Sequence, residues 1–270
     1  MITAGIDCGS KNTKTIILED GKIKGKAKVA TGFDQRKAIR NSFEAALKNA
    51  LISADLVEKI CGTGAGKGAV KSEFANAKEL VNDIKAMGKG GVFFFPGGRT
   101  VVDVGAEEGG AVKVDKNGNV LDFAINEKCA AGAGAFIEAM AHALDIEVEQ
   151  MGPLALESTT DIPMNAQCAI FAESEVVGLI HAKKEKRDIS KAIHDAMASR
   201  IVAIIRRIGV NEDVVMMGGV ASNVGFIEAV RRELNLKKLW IPEFPEYGMA
   251  AGAALVASRR EGEKTREYSE

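Results

Sequence analysis

Two pairs of an aspartate and a glycine are the residues best placed for chemistry in this chain of 270 residues. Asp7 and Gly9 follow an apolar run that begins at Ile2, and Asp103 and Gly105 follow a second apolar run. A glycine in a turn lets backbone N–H groups approach phosphate oxygens. A carboxylate is repelled by phosphate and acts on it through a cation such as Mg²⁺ or through water. The two pairs therefore indicate a site for a magnesium–nucleotide complex.

A third glycine turn, Gly218-Gly219, follows the apolar run Val214–Met217 and leads to Asn223. Two glycines at the end of a strand permit close passage of an adenosine or its α-phosphate. The alternative is an ordinary turn between a strand and a helix, with Asn223 as the helix N-cap. The presence of the two aspartate–glycine turns favours the nucleotide interpretation.

The sequence thus predicts three catalytic carboxylates and a set of nucleotide-binding residues. The carboxylates are Asp7, Asp103 and Glu107, the last of which belongs to the second turn. The nucleotide-binding residues lie in the three turns: Gly9, Ser10, Lys11, Asn12, Thr13 and Lys14 in the first, Gly105 and Ala106 in the second, and Gly218, Gly219 and Asn223 in the third.

The two aspartate–glycine turns belong to a longer repeat. Asp7 and Asp103 differ by 96 positions, and the hairpin glycines Gly21 and Gly118 differ by 97. Each half reads as strand, acid, glycine turn, strand, hairpin and strand, followed by a helical pattern. The alternative is two unrelated hairpins. Repetition of the whole order favours an internal duplication of two α/β lobes.

The duplication divides the chain into two predicted lobes. The N-terminal lobe covers residues 1–96, with a C-terminal helix at 253–270 packing back on it, and the second lobe covers 97–252 and carries Cys129 and Cys168. A glycine-rich stretch at 62–68 is close to a Walker loop, but Gly68 follows Lys67 where that motif needs Ser or Thr. We expect this stretch to be a flexible loop between the lobes that contacts nucleotide.

Cys129 and Cys168 each precede a run of small or helix-forming residues. A cysteine at a helix N-terminus is stabilised as a thiolate by unpaired N–H groups. Two thiolates cannot provide the four ligands of a [4Fe–4S] cluster, but a symmetric dimer can, with two from each subunit. The alternative is that both are small buried apolar side chains, since free cysteine is among the most buried residue types.

Composition and hydropathy exclude several classes of protein. Lys and Arg total 36 against 37 Asp and Glu, so the basic excess of a nucleic-acid binder is missing. No run approaches the ~20 apolar residues that span a membrane, and the N-terminal residues lack the pattern of a signal peptide. We therefore expect a cytoplasmic protein with neither a nucleic-acid nor a membrane partner.

The three turns resemble the first phosphate, second phosphate and adenosine motifs of the actin, Hsp70 and sugar-kinase ATPase fold. That α/β fold has two duplicated ribonuclease-H-like lobes with a nucleotide cleft between them. The sequences around the cysteines resemble one particular family of this fold. Asn126-x-Lys128-Cys129-Ala-Ala-Gly and Cys168-x-x-Phe-Ala-Glu-Ser-Glu-Val resemble the activator ATPases of 2-hydroxyacyl-CoA dehydratases and the related ATPase subunits of benzoyl-CoA reductase. The resemblance extends from Gly5 to about Ala257.

In that family, the two matching cysteines bind a cluster shared between two subunits. The resemblance therefore implies a homodimer with ATP or ADP, Mg²⁺ and one [4Fe–4S] cluster, held by Cys129 and Cys168 of both copies. It also implies that ATP hydrolysis drives an electron from the cluster to a client CoA-ester dehydratase or reductase. A low-potential donor such as ferredoxin or flavodoxin would recharge the cluster.

One departure from the family pattern concerns the second turn. The activators usually read Asp-x-Gly-Gly-Gln-Asp there, whereas this chain reads Ala106-Glu107-Glu108 after Gly105. The glutamates resemble some benzoyl-CoA reductase subunits more closely, so the client stays open between a dehydratase and a reductase. The alternative function is a small-molecule kinase of the same fold without a cluster.

Overall fold

The computed structural model describes residues 1–77, 79–126, 133–165 and 169–259. The described chain forms two compact units, the first from Met1–Lys89 together with Met249 onward, and the second from Gly90–Gly248. These divisions lie a few residues from the predicted borders at 96 and 252. No helix in the described ranges is long and apolar enough to cross a membrane.

Both units combine a mixed β-sheet with helices. In the described ranges the strands are β1 (Ile2–Cys8), β2 (Asn12–Glu19), β3 (Lys22–Ala30), β4 (Lys59–Thr63), β5 (Glu79–Leu80), β6 (Thr100–Val104), β7 (Gly109–Val114), β8 (Val120–Ile125) and β9 (Val214–Met217). The helices there are α1 (Gln35–Ala50), α2 (Lys67–Glu73), α3 (Asp83–Phe94), α4 (Ala133–Ala143), α5 (Val148–Leu156), α6 (Ala169–His181), α7 (Lys186–Ile208), α8 (Val224–Glu233) and α9 (Gly248–Ala257). The α/β class expected from the sequence is thus confirmed.

The sheets of the two units share their strand order. The sheet of the first unit runs β3-β2-β1-β4-β5, and that of the second runs β8-β7-β6-β9. In each sheet, the first three strands along the chain are antiparallel neighbours. The next strand lies parallel beside the first one, as β4 does beside β1 and β9 beside β6.

The two sheets also share their register, down to the position of an irregularity. Matching residues of the two sheets differ by 96 positions, which is the offset between Asp7 and Asp103. The matched features are the pairs Asp7–Lys14 and Asp103–Gly110 and the register shifts at Ile17/Leu18 and Lys113/Val114. Two unrelated hairpins would not reproduce such a shift at the same place, so the duplication predicted from the sequence is confirmed.

Helix α1 covers the sheet of the first unit because its apolar residues recur at helical spacing. Ile39, Phe43 and Leu47 are buried and pack into the core formed with β1 and β2. The helix begins after Asp34, whose carboxylate accepts a hydrogen bond from Lys37 N at 3.0 Å. Cap and apolar stripe together fix the start and the buried face of the helix.

Helix α7 is the central helix of the second unit. Its residues Ile193, Met197, Ile201 and Ile205 are all buried and belong to one core with β6, β9, α4 and α8. The helix ends at Gly209, which adopts a φ of +71°, a conformation that glycine reaches without steric cost. This spacing predicts a long helix, which is present, and its sheet-facing side packs on β7 and β8.

Helix α9 consists mostly of Gly and Ala and packs within the first unit at backbone distance. A side chain at Gly5 of β1 would collide with the backbone of Ala250, and one at Gly252 would collide with the Ala86 carbonyl in α3. The helix begins at Gly248, a few residues before the border at 253 that the sequence gives for the segment packing back on the first lobe, and Ala250 already packs against β1. The predicted extension beyond residue 259 lies outside the described part of the chain.

Candidate nucleotide-binding site

Hydrogen bonds within the turn and from Thr31 hold the first glycine turn, between β1 and β2, in place. Gly9 N donates a hydrogen bond to the Asn12 carbonyl at 3.2 Å, which closes the turn. Thr31 donates from its backbone N to the Lys11 carbonyl at 2.9 Å and from its hydroxyl to the Gly9 carbonyl at 2.8 Å. Ser10 and Lys11 are exposed at the tip. The turn therefore combines a fixed base with a solvent-exposed tip.

Thr13 lies beneath this turn, in the interior of the first unit. Its side chain is fully buried, and its hydroxyl oxygen is 2.9 Å from Thr31 Oγ1 and 3.6 Å from Cys8 Sγ. Burial raises the pKa of the Cys8 thiol, and the hydrogen bond from Thr13 offsets only part of that rise. The structure thus places Thr13 as a support of the turn and Cys8 as a neutral thiol.

Asp7, near the end of β1, forms an ion pair with Lys14 directly across the hairpin. Lys14 Nζ donates to Asp7 Oδ2 at 2.9 Å, and the Asp7 side chain is 8% exposed. A buried carboxylate needs such a partner, because taking an unpaired charge out of water is strongly unfavourable. The pair therefore places a compensated negative charge beside the first glycine turn.

A second carboxylate of the first unit, Asp83, was not predicted from the sequence. It is the first residue of α3, and its Oδ1 accepts hydrogen bonds from Thr63 Oγ1 at 2.8 Å and from Gly64 N at 2.9 Å. Gly64 has a φ of +83°, and a Cβ atom on it would stand 2.5 Å from Asp7 Oδ1. The only sequence signal for Asp83 is an acid that opens a helix after a short strand, which is common in proteins.

The glycine-rich stretch at 62–68 belongs to the first unit. It joins β4 to α2, and Gly66 N donates to the Cys8 carbonyl at 2.9 Å. A side chain at Gly66 would collide with Cys8 Sγ. Gly64 and Gly66 are therefore explained by close packing against the end of β1, where only the smallest residue fits.

The second glycine turn, between β6 and β7, supports the N-terminus of α4. Gly105 N donates to the Glu108 carbonyl at 2.8 Å and closes the turn. The carbonyl groups of Gly105 and Ala106 accept hydrogen bonds from Gly134 N at 3.2 Å and Ala135 N at 2.9 Å. A Cβ atom at Gly134 would stand 3.0 Å from both Ala106 Cα and the Gly105 carbonyl oxygen. Helix α4 therefore rests directly on this turn.

The two predicted catalytic carboxylates near this turn have different surroundings. Asp103 is half-buried in β6, between its register partners Gly110 of β7 and Met217 of β9. Glu107 is exposed. Because Gly110 has no side chain, the strand position across from Asp103 carries no cation, whereas Lys14 occupies the equivalent position across from Asp7.

The third turn follows β9 and lies against the second turn within the same unit. Gly218 has a φ of +91°, and a Cβ atom on it would collide with the Val104 carbonyl. Gly219 is exposed, and a Cβ atom there would meet nothing within 4 Å. Asn223 Oδ1 accepts a hydrogen bond from Phe226 N at 3.1 Å and caps α8. Asn223 is thus a helix N-cap, as expected if this turn simply joins a strand to a helix. Gly219 leaves an open surface beside it.

The two cysteines predicted as cluster ligands, Cys129 and Cys168, lie outside the described residues. Cys8 and Cys61 are described, and both are buried free thiols. Burial raises the pKa of the Cys61 thiol to about 12. Within the described ranges, no group of three or more His, Cys, Asp or Glu side chains is arranged to hold a metal ion.

The two units have the α/β fold of the actin, Hsp70 and sugar-kinase class of proteins. A ROK family glucokinase from Streptomyces griseus has a TM-score of 0.61 at 14% identity, over 95% of this chain and 99% of its own, which shows the fold alone. Residues 4–257 match the profile of the BadF/BadG/BcrA/BcrD ATPase family, and the chain belongs to this family. The family resemblance stated from the sequence is thereby confirmed.

Three proteins are similar to this chain over almost its full length. The crystal structure of (R)-2-hydroxyglutaryl-CoA dehydratase component A from Acidaminococcus fermentans has 34% identity and a TM-score of 0.89, over 95% of this chain and 97% of that chain. The activator of the 2-hydroxyisocaproyl-CoA dehydratase from Clostridium difficile, solved with bound ADPNP, has 32% identity and a TM-score of 0.86, over 95% and 94%. A benzoyl-CoA reductase subunit from Thauera aromatica is 28% identical, over 96% of this chain and 94% of its own.

The contrast between Gly218 and Gly219 gives a first prediction. Gly218→Ala is expected to lower the free energy of unfolding by about 1–3 kcal/mol, because its backbone conformation is essentially restricted to glycine and a Cβ atom would collide with Val104. Gly219→Ala is the matched control and is expected to leave stability unchanged, since space around it is open. Chemical denaturation of both variants measures the difference, and equal stability would contradict the packing of the third turn on the second.

Proposed function

We propose that this protein hydrolyses ATP to drive a low-potential electron from a [4Fe–4S] cluster to a CoA-thioester dehydratase or reductase. Membership of the ATPase family and the ADPNP bound to a similar activator support the nucleotide part of the proposal. The names of the similar proteins support a client of this kind, as dehydratase activator or as reductase subunit.

The residues of the three turns are suited to a magnesium nucleotide. In the first unit, Asp7 is held by Lys14 beside a turn whose tip is exposed. In the second unit, Asp103 lies near the end of β6 and Gly219 presents an open surface. We assign Asp7 and Asp103 to Mg²⁺ or its bound water, because carboxylates approach phosphates through a cation. The glycine turns would hold the phosphates and the adenosine.

Two cysteines remain as proposed cluster ligands, and they are Cys129 and Cys168. The described cysteines Cys8 and Cys61 are unsuited, because burial raises the pKa of both thiols and a cluster needs thiolates. A cluster with four thiolate ligands then requires two copies of the chain, so we propose a homodimer. When bound, the cluster supplies a one-electron redox centre. Exposed apolar side chains on α6, which follows Cys168, support a second copy: Phe171, Val177 and Ile180.

The observation that carries this proposal is the contact between α4 and the second glycine turn. The amides of Gly134 and Ala135 donate to the carbonyls of Gly105 and Ala106, at 3.2 and 2.9 Å. Cys129 precedes α4 by four positions in the sequence. A change in this turn between ATP and ADP therefore acts on the helix that follows a proposed cluster ligand. A ligand shifts such an equilibrium only by its different affinity for the two states.

Anaerobic purification followed by iron and sulfide analysis tests the function directly. We expect about four irons and four sulfides per dimer, and the rate of iron loss to a chelator is expected to differ severalfold between ADP and a non-hydrolysable ATP analogue. For a one-electron couple, each tenfold ratio between the nucleotide affinities of the oxidised and the reduced protein moves the reduction potential of the cluster by roughly 59 mV. An iron-free protein that phosphorylates a small molecule would contradict the proposal and favour the kinase alternative.

A variant at Gly134 tests the coupling itself. Gly134→Val is expected to abolish the nucleotide dependence of iron loss while ATP still binds, because a Cβ atom already stands 3.0 Å from the turn. Ala203→Val, at an exposed position of α7, is the matched control and is expected to behave as the unmodified protein. If both variants keep the full nucleotide dependence, the α4 contact does not transmit the signal.

A further inference from the structure

Residues 158–165 form an irregular segment between α5 and the proposed cluster ligand Cys168. They belong to no helix or strand, and Asn165 stands three positions before Cys168 in the sequence. The backbone N of Asn165 donates a hydrogen bond to Glu175 Oε2 of α6 at 3.1 Å. Three residues span at most about 10 Å, so the position of Asn165 limits where Cys168 can lie.

Lys191 of α7 binds Asp161, which lies in the middle of this segment. The Lys191 Nζ donates to Asp161 Oδ1 at 2.5 Å and to Asp195 Oδ2, one turn further along α7, at 2.9 Å. The Lys191 side chain is 10% exposed, whereas that of Asp161 is 92% exposed. Burial alone would lower the pKa of Lys191, but the hydrogen bonds to the two carboxylates outweigh it and raise that pKa. The hydrogen bond from Lys191 lowers the pKa of Asp161, so both groups are charged at neutral pH.

The packing of the segment on α7 is open beyond Asp161. At the start of the segment, Ser158 Oγ donates a hydrogen bond to Asp188 Oδ1 of α7 at 2.6 Å. Further along, a depression of about 570 Å³ lies between the segment and the helix. It is lined by Pro163, Met164 and Asn165 on one side and by Ala196, Ser199 and Arg200 of α7 on the other. The ion pair between Lys191 and Asp161 therefore supplies a directional contact next to a part of α7 where close packing is missing.

The position of this ion pair matters more than its contribution to the stability of the whole chain. A pair with one exposed partner adds little to the free energy of unfolding. An irregular segment opens locally at a small cost in free energy, because few buried contacts hold it. One directional contact on such a segment therefore changes the population of its open states severalfold and leaves global stability nearly constant.

We propose that Lys191 and Asp161 position the segment that leads to Cys168 and so slow the loss of iron from a cluster bound there, an inference that rests on the proposed function. Iron leaves more readily when the chain that carries a thiolate ligand moves away, and the pair opposes that movement by holding the segment on α7. Lys191 and Asp161 act through the segment and are positioning residues, not ligands.

Asp161→Asn tests the pair with little disturbance, because the side chain is exposed and Lys191 keeps Asp195 as a partner. In the full chain, purified anaerobically and kept in ADP, we expect iron loss to a chelator to be about two- to fivefold faster, the range typical of one ion pair. In the iron-free chain, we expect hydrogen exchange at residues 158–165 to rise at least twofold at an unchanged free energy of unfolding. Glu157→Gln removes an exposed carboxylate directly before the segment and is the matched control, expected to behave as the unmodified protein.

A double-mutant cycle shows whether the two side chains act as a pair. Lys191→Met removes the other partner and leaves Asp195 its hydrogen bond from Arg232. We expect both single variants and the double variant to lose iron at the same rate, because the second substitution removes nothing further. Asp161→Glu keeps the charge and is expected to retain slow iron loss.

The outcomes separate this inference from the proposed function. If the unmodified chain holds no iron, the proposed function fails, and hydrogen exchange still decides whether the pair holds the segment. If Asp161→Asn changes iron loss or segment exchange by less than twofold, or if the effects of the two single variants multiply in the double variant, the inference is overturned. Should Lys191→Met fail to fold, the comparison of Asp161→Asn with Glu157→Gln decides alone.

Discussion

Replacing Cys129 or Cys168 by serine is expected to remove the iron–sulfur cluster from the protein altogether. One substitution per chain leaves two thiolates in a dimer, and a [4Fe–4S] cluster is held by four ligands. After anaerobic purification, we expect fewer than about one iron per dimer in either variant, against about four in the unmodified protein. Broad absorption near ~400 nm is expected to disappear with the iron.

The structure supplies a sharp control for this experiment. Cys61 is buried, and burial raises the pKa of its thiol to about 12, so it carries no thiolate at neutral pH. Cys61→Ser is therefore expected to keep all four irons of the dimer. Four irons retained in Cys129→Ser would refute the assignment of Cys129, and iron lost equally from all three variants would indicate a general loss of folding.

The second large effect is expected at Asp7. Asp7→Asn keeps the shape of the side chain but removes its charge, and Lys14 loses the partner that lies 2.9 Å away. We expect ATP turnover to fall about 100-fold or more, the effect typical of losing one fixed group that stabilises transition-state charge. Asp103→Asn is expected to have the same effect from the second unit. Steady-state phosphate release measures both.

Asp20→Asn is the matched control for Asp7→Asn. It changes the same residue type on the same hairpin, but Asp20 is exposed and pairs with the N-terminal amine. We expect normal turnover in this variant and a native circular dichroism spectrum in all three. Unchanged phosphate release in both Asp7→Asn and Asp103→Asn would rule out a role of the aspartates in hydrolysis.

Local sequence signals account for much of the fold. The hairpin glycines, with φ of +76° at Gly21 and +70° at Gly118, and the apolar or alternating residues after them predict β3 and β8. The repeat of acid, glycine turn and hairpin predicts the duplication. These signals work because they depend on residues close together in the chain, where conformational preference and hydrophobic period decide the outcome.

Features that depend on tertiary contacts were not predictable from the sequence. Strand β5 has two residues and exists only because it pairs with β4. Gly66 lies in a glycine-rich stretch that reads as a loop. Its amide nevertheless donates a hydrogen bond to the Cys8 carbonyl, which fixes the stretch inside one unit. Asp83 is an ordinary first residue of a helix until Thr63 and Gly64 donate to it. In each case, the deciding partner is distant in the sequence.

The discontinuity of the first unit has a consequence for the order of folding during protein synthesis. The second unit is one continuous segment, Gly90–Gly248, so nearly all of it is synthesised before α9, the helix Gly248–Ala257. The first unit cannot be completed until α9 emerges, because Gly5 of β1 packs directly against Ala250. Until then, the apolar face of β1 that α9 covers stays accessible to solvent and chaperones. We therefore expect the N-terminal unit to be completed only after α9 has been synthesised and has left the exit tunnel.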